Sequence, residues 1–510
     1  MKMIKKIWIC IGVIVSLLMF QSEFIIAESS TSSEGSLLEK IKERGELVVG
    51  TSPDYAPMEF IDSTKSGQAQ YVGSDIELAK YIADKLGVSL KISASSFDAV
   101  LANLSTGQID LAITGLSYTP ARAKTMELSI GYNLDGEEGL QGILIRKEDA
   151  QRFVSLNDFQ SNTTIAVQSG SLQEAYVQDQ TPKAKLQSVS SLSDAVELLK
   201  NGSVDAVAVS YPTGEEYAKS NKELQISQDL MFENSLDYAG NRVGAPLGEK
   251  ALIEEVNKII EEVNEKELYA KWVNEAKKLS SQMFEIDATS FIGVCIQLIQ
   301  YCWPQFLQGL FITLGLAFIT VLFGTLLGGV LALIKLSNHK IVQALSNAYI
   351  ELVRGTPLLL QLWLFVAIFS SLTDGKMPMI VSVIIALIIN SSAYVSEIIR
   401  GGILSVDKGQ WEAAKSLGMS NQNMMIKIIF PQAIKNILPS LGNEFVMMVK
   451  ETSLASTFYV GELMSVNNVL KATTYRAIEP LVIVGLIYFV VTYSLSKLIK
   501  YMERRMSVSD

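Results

Sequence analysis

The stretch FDAVLANLSTGQIDLAITGLS, residues 97–117, has an echo about 96 residues further on, LSDAVELLKNGSVDAVAVSY, residues 192–211. Both read Asp-Ala-Val, a short apolar-periodic run, a glycine, then Ile or Val followed by Asp and an apolar run. The periodicity predicts a short helix in each, stopped at Gly107 or Gly202 and followed by a buried strand. One helix–strand unit per half is the pattern of two related lobes.

Around the repeat the chain keeps alternating. ELVVGTS (46–52) reads as a strand. GSDIELAKYIADKLGV (73–88) reads as an amphipathic helix ended by Gly87, and SLKISA (89–94) as a second strand. Alternation of this kind predicts an α/β fold with largely parallel sheets. In such folds ligands bind beyond the carboxyl ends of the strands, here in a cleft between lobes.

Of the 510 residues, 49% are apolar, and they are unevenly spread. Up to about residue 282 the pattern is globular, and long uncharged runs follow. From residue 291 there are 16 basic and 11 acidic residues, a net of +5, so of the whole chain's −10 the first 290 residues carry −15. A strongly acidic half argues against nucleic acid as partner and fits a solvated domain outside the cell. Lys2, Lys5 and Lys6 ahead of the apolar run 7–20 predict a secretory signal over 1–27, followed by a Ser-rich linker over 28–36. The three cysteines, Cys10, Cys295 and Cys302, lie outside the globular half, so no disulfide is expected there. That half also has no histidine. Nothing pairs a nucleophile with a base, and no metal set is expected.

The strand ends supply Thr51-Ser52-Pro53-Asp54-Tyr55, Thr114-Gly115-Leu116-Ser117, Gln168-Ser169-Gly170-Ser171 and Ser210-Tyr211. Small hydroxyl residues and glycine leave backbone N–H groups open to an anion. Arg122 adds a fork that can clamp a carboxylate, and Ser171 opens a helix whose N-terminus favours negative charge. With GELVVGTSPDYAPMEF (45–60), YVGSDIELAKYIADKLG (71–87), FDAVLANLSTGQIDLAITGLSYTPAR (97–122) and VNKIIEEVNEKELYAKW (256–272), residues 45–279 resemble the extracellular amino-acid-binding proteins of bacterial uptake systems. The resemblance implies a type II periplasmic-binding fold over 37–280, with lobe 1 at about 37–138 and 234–280 and lobe 2 at about 139–233. It implies that Tyr55 and Phe97 sandwich the ligand side chain. Arg122, Thr114 and Ser117 would hold the α-carboxylate, and Gln168 and Ser171 would contribute from lobe 2. Two positions depart from the family. Met58 stands where Phe or Tyr is usual, and Ser210 replaces the aspartate that receives the α-ammonium. Asp54 is the candidate to supply that charge; otherwise the ligand is not an ordinary α-amino acid or binds more weakly. A polar neutral ligand such as glutamine is favoured, with basic amino acids open.

The second half predicts an interfacial segment over 281–304, ended by Trp303-Pro304, and about five spans at 307–334, 346–372, 379–402, 437–457 and 479–499 in a membrane domain over 305–505. With the globular domain outside, Lys335, His339 and Lys340 fall inside and Asp374-Gly375-Lys376 outside. Arg400, Lys408, Lys415, Lys427, Lys435 and the C-terminal Lys497, Lys500, Arg504 and Arg505 fall inside, satisfying the positive-inside rule. GQWEAAKSLGMSNQNMMIKIIFPQA (409–433) lies on that inner side within a loop at 403–435. Its Glu412, Ala413, Ala414 and Gly418, with Ile428 and Pro431, resemble the EAA loop of bacterial ABC importer permeases, with Phe430 in place of the usual Leu. ELVRGTPLLLQLWLF (351–365), NSSAYVSEIIRGGI (390–403) and KETSLASTFYVGEL (450–463) extend the resemblance to the polar-amino-acid permeases over most of 300–505. The resemblance implies an all-α transmembrane permease, a homodimer in the plasma membrane, and docking of a separate ATPase dimer on the loop. No Gly-x-x-x-x-Gly-Lys-Ser/Thr occurs. No ATPase is therefore expected in this chain, and ATP and Mg belong to the partner. Polar groups in the spans, Asn390, Glu397, Glu444, Lys450 and Glu451, are costly there. They either pair, Glu397 with Arg400 and Lys450 with Glu444 or Glu451, or line the pathway.

The expected whole is an importer subunit that joins receptor and permease and is not an enzyme. The alternative is a ligand-gated channel or solute-sensing receptor on the same clamshell. Against it, lobe 2 and its return finish before the first span, and no Thr-Val-Gly-Tyr-Gly filter occurs.

Overall fold

A computed structural model of the chain describes residues 36–507, apart from 63–64, 66, 134–139, 190, 234–239, 284–285, 287, 289, 338 and 374–376. The expected signal segment, nearly all of the Ser-rich linker and residues 374–376, expected as an outer loop, lie outside the described residues.

The first lobe contains β1 (Glu46–Thr51), β2 (Asp54–Tyr55), β3 (Glu59–Ile61), β4 (Tyr71–Val72), β5 (Ser89–Ala94), β6 (Leu111–Ala112) and β7 (Met126–Leu128). The second contains β8 (Gln141–Arg146), β9 (Thr164–Gln168), β10 (Lys185–Val189), β11 (Ala206–Ser210) and β12 (Leu224–Met231). The chain then returns to the first lobe with β13 (Gly244–Pro246). Each lobe is built on a five-stranded sheet, ordered β5-β1-β6-β13-β7 and β10-β9-β11-β8-β12, and β2-β3-β4 form a small third sheet. β1 is buried at every position but its first, as the continuous run Leu-Val-Val-Gly-Thr requires of a strand covered on both faces. Helix Ser74–Leu86 packs Ile76, Ala79, Ile82 and Ala83 onto this core.

The repeat explains itself in three dimensions. Helices Phe97–Ser105 and Leu192–Lys200 occupy matching places, and each is followed by a left-handed glycine, Gly107 at φ 71° and Gly202 at φ 79°. Only glycine takes that backbone without a steric penalty, so both helices stop at the same point. β6 then pairs in parallel with β1, and β11 with β9. The repeated aspartate has one task in both lobes. Asp110 accepts the N–H of Val48 at 2.7 Å, and Asp205 accepts that of Thr164 at 2.8 Å, each tying down the neighbouring strand. Each is also paired with an arginine, Arg44 or Arg152.

Helix Leu268–Met283 completes the first lobe, and the rest of the chain is helical. Among the described residues, Phe291–Lys335, Met379–Leu404 and Ile478–Arg505 are each long and apolar enough to cross a membrane. The expected separation of 281–304 does not hold, because Pro304 lies inside one continuous 45-residue helix, Phe291–Lys335. At ~1.5 Å per residue this is about 67 Å long, twice a bilayer's apolar core. Val294, Leu298, Cys302 and Phe306 form one buried stripe against Leu463, Leu470, Ile483 and Val484. Packing on both sides of the proline holds the helix through it. The expected span 346–372 is broken instead. Helices Lys340–Gly355 and Leu358–Phe369 meet at 111°, where Pro357 drives Thr356 out of the helical region. That pair counts as one further span, so the described residues hold up to four by length and composition where about five were expected. The expected span 437–457 falls on helix Phe430–Glu451, which is interrupted by polar residues and gives way to a 3₁₀ stretch, Thr452–Phe458.

Helices pack closely where small residues meet. A Cβ on Gly328 would lie 2.8 Å from the Ser392 carbonyl oxygen, the intimate contact that membrane helices favour.

Candidate functional site

All ten residues expected to hold a ligand line one cavity between the lobes: Asp54, Tyr55, Phe97, Thr114, Gly115, Ser117, Arg122, Gln168, Ser171 and Ser210. They come from β2, from the carboxyl ends of β6, β9 and β11 and the loops that follow them, from the start of helix Phe97–Ser105 and from the one-turn helix Arg122–Lys124. Arg122 dominates the site. Its side chain is buried, stacks over the Phe97 ring at 5.4 Å, and donates from Nη1 to the Ser117 carbonyl at 2.6 Å. Nη2 donates to the Gly170 carbonyl at 2.5 Å, reaching from lobe 1 to lobe 2. Burial lowers its pKa to about 10, so the guanidinium stays charged at neutral pH. It faces carbonyls rather than a carboxylate, which leaves its charge for an anion.

Two expected donors are used internally. The Gly115 N–H bonds Asp75 Oδ2 at 2.7 Å, and the Thr114 hydroxyl donates to Glu59 Oε1 at 2.8 Å while accepting the Ser52 N–H. The expected anion-friendly terminus at Ser171 is likewise filled. Ser171 Oγ accepts the Glu174 N–H, and the Glu174 carboxylate accepts the Gly170 N–H at 2.7 Å. Buried donors must find partners during folding, and a carboxylate at the helix start does so from within.

Sequence reasoning missed two buried acids of this candidate site, Glu59 and its neighbour Asp75. Glu59 lines the cavity, and both carboxylates are fully buried. Asp75 is held by the hydroxyls of Tyr269 at 2.6 Å and Tyr132 at 3.1 Å. Burial, with Asp75 close by, pushes Glu59 well above the usual carboxylate range, and burial raises Asp75 as well. The acids in YAPMEF and GSDIEL were visible, but nothing in sequence shows that they meet.

Ser210 does not stand alone in the place of an aspartate. Its Oγ shares a hydrogen bond with the Tyr55 hydroxyl at 2.8 Å and donates to Thr213 Oγ1 at 2.8 Å, joining the lobes through hydroxyls. Asp54, whose Oδ1 accepts Ser52 Oγ at 2.7 Å, is pushed up to about 6 by desolvation in the cleft. The sign follows from linkage. The folded domain holds this proton more tightly than the unfolded chain does. The group's stabilisation is therefore full below about 4 and is lost as pH rises through about 6. A cationic ligand group on Asp54 favours the ionised form. Ligand affinity is thus expected to fall as pH drops below about 6, with proton release on binding at pH 6 by calorimetry in two buffers. Asp54→Asn should flatten both; an unchanged pH profile in Asp54→Asn would remove Asp54 from the site.

Ala472 and Tyr475, from the helical half, also line the cavity, a placement no sequence pattern predicted.

The second expected surface is the 403–435 loop. Helix Lys408–Ser416 is capped by Asp407, whose Oδ1 accepts the Gly409 N–H at 2.7 Å. Ala414 is buried with Ile403, Val406, Met424 and Ile429, whereas Glu412 and Ala413 are exposed. Gly418 follows at φ 70°, and Leu417 is 82% exposed beside it. One face of the motif anchors the loop and the other is free to be touched.

Of the five polar residues expected in spans, Asn390 donates to Gln361 Oε1 at 2.9 Å, and Gln361 stitches the bend by bonding Val353 and Thr356. Glu397 pairs with Arg400 as expected and also with Lys335. Glu444 is held by Ser391 Oγ at 3.0 Å rather than by Lys450, which is exposed; Glu451 is half-buried.

Comparison with known proteins adds two matches. Residues 47–275 match the bacterial extracellular solute-binding proteins, family 3, and residues 321–508 match the binding-protein-dependent transport system inner membrane component family. The arginine transport system permease protein ArtQ of Bacillus subtilis is 39% identical over 207 residues, covering 41% of this chain and 94% of that protein. A putative glutamine transport system permease protein GlnP of Rickettsia bellii is 37% identical over 202 residues, 40% of this chain and 93% of that protein. An amino acid ABC transporter substrate-binding protein of Streptococcus pneumoniae, solved with L-arginine, is 36% identical with a TM-score of 0.42, covering 48% of this chain and 98% of that one.

Proposed function

Because this chain belongs to the binding-protein-dependent amino-acid ABC importers and carries receptor and permease in one polypeptide, we propose a residue-level mechanism for its transport. The receptor cleft takes an amino acid with its α-carboxylate on Arg122 and its α-ammonium toward Asp54 and the Tyr55–Ser210 hydroxyls. Phe97 and Tyr55 flank the side chain. Closure of the lobes on the ligand favours the closed state only by the ligand's differential affinity for it. The closed receptor delivers its cargo to the permease. A separate ATPase dimer, which supplies ATP and Mg chemistry, docks on the Glu412–Gly418 loop on the cytoplasmic side and drives the pathway between outward and inward states. Two copies of the chain form the pathway.

The observation that carries this reading is the convergence of ten expected residues on one cavity, with the buried Arg122 among them bonded to carbonyls rather than to a carboxylate. The similarity to an arginine and a putative glutamine transport system permease supports a polar or basic amino acid. The channel alternative is set aside, since a transport permease family accounts for residues 321–508. Uptake of labelled L-glutamine and L-arginine by proteoliposomes, with and without the ATPase partner, tests the reading. Accumulation that requires ATP is expected; equal flux without ATP would overturn it.

A further inference from the structure

Helix Leu463–Thr474 belongs to the permease half, yet its end reaches the receptor. It is bracketed by two tyrosines in the left-handed region, Tyr459 at φ 47° and Tyr475 at φ 53°. A bulky residue there is strained and persists only where its surroundings hold it. Tyr459 packs against the apolar core of lobe 1, and beside it the Thr457 carbonyl accepts the Ser96 N–H at 3.2 Å. Tyr475 does more, because it touches both lobes at once. Its hydroxyl donates to the Ala56 carbonyl of lobe 1 at 3.3 Å. Its ring meets Tyr217 of lobe 2 edge-on, centroids 5.1 Å apart, and its carbonyl accepts from Asn221 Nδ2 at 3.2 Å. One turn earlier, Lys471 Nζ lies 2.7 Å from Asp194 Oδ1 of lobe 2.

We propose that Tyr475 is a wall of the amino-acid cleft supplied by the permease, and that by bridging the lobes it recognises the closed receptor. The lobes here are closed on each other through Arg122–Gly170 and Tyr55–Ser210. Opening them separates Ala56 from Tyr217 and Asn221, and Tyr475 can then keep only one side. Docking therefore favours closure, and by linkage it tightens ligand binding by the same factor. Tyr475 also separates two spaces. With Tyr55, Ser210 and Thr213 it lines the ligand cleft, and with the same three residues it lines a wider groove bordered by the exposed Asn274 and Lys277 and by Arg476.

This inference rests on the cleft being the amino-acid site, so the test separates the two. Full-length chains in nanodiscs are titrated with L-glutamine and L-arginine, comparing wild type with Tyr475→Phe, Tyr475→Ala and Arg122→Ala. Tyr475→Phe keeps the ring on Tyr217 and loses the bond to Ala56, so its Kd should rise about threefold; Tyr475→Ala loses both, and its Kd should rise about tenfold. Docking is read in parallel by disulfide cross-linking of an Asp194→Cys/Lys471→Cys chain whose own cysteines are alanine. Ligand should raise the yield with Tyr475 present and leave it flat in Tyr475→Ala. Should Tyr475→Ala fail to fold, the Tyr475→Phe affinity and the ligand dependence of the cross-link with Tyr475 intact still decide. Unchanged affinity in the Tyr475 variants, or a yield indifferent to ligand, overturns the proposal. Unchanged affinity in Arg122→Ala overturns the cleft reading instead.

Discussion

Arg122→Ala is expected to weaken binding of the transported amino acid by at least about a hundredfold and to abolish the ligand-induced rise in melting temperature. Removing one partner of a buried charge pair costs about 2–5 kcal/mol, because the remaining charge is left unpaired out of water. Here that remaining charge is the ligand carboxylate, held in a cleft whose described lining offers no other cation to replace Arg122. Arg122→Lys should recover only a small part of it. Lysine keeps the charge but lacks the planar fork that reaches the Ser117 and Gly170 carbonyls together while stacking on Phe97. The apo protein should lose little stability in Arg122→Ala, since burial already disfavours the guanidinium. Differential scanning fluorimetry with and without ligand separates the two effects. A melting shift equal to wild type in Arg122→Ala would place the carboxylate elsewhere.

Most of the fold was legible because the repeat, the glycines and the strand patterns are local signals. Gly107 and Gly202 stop their helices where the pattern said they would, and the strand ends that follow bring the ligand-site candidates together. What sequence could not carry was competition for hydrogen bonds. Gly115, Thr114 and Gly170 read as open donors, but each is satisfied from within by Asp75, Glu59 or Glu174. Pro304 misled for a related reason. Its local tendency to break a helix is outweighed by apolar packing on both flanks, whereas Pro357, at an existing turn, does break one. The meeting of Tyr475 with Ala56 spans 419 positions of chain, beyond the reach of any periodicity.

Glu412→Lys is expected to leave ligand affinity within about twofold of wild type and to reduce ATP-driven uptake to near background. Glu412 is exposed on the free face of helix Lys408–Ser416, and it appears in none of the described ion pairs. A substitution at such a site changes stability by no more than about 0.5 kcal/mol, so lost uptake would not report misfolding. The anchoring side of the loop, Ala414 against Ile403, Val406 and Met424, is untouched. What changes is the charge presented to a docking ATPase. A like-charge contact in place of an attractive one costs several kcal/mol at an interface, about a hundredfold or more in affinity. Leu417→Asp, which places a carboxylate on the exposed apolar tip, should act in the same direction. ATP hydrolysis by the partner should lose its stimulation by ligand while its basal rate persists. Full uptake by Glu412→Lys proteoliposomes would show that motion enters the permease by another surface, and altered ligand affinity would show that the loop acts on the receptor as well.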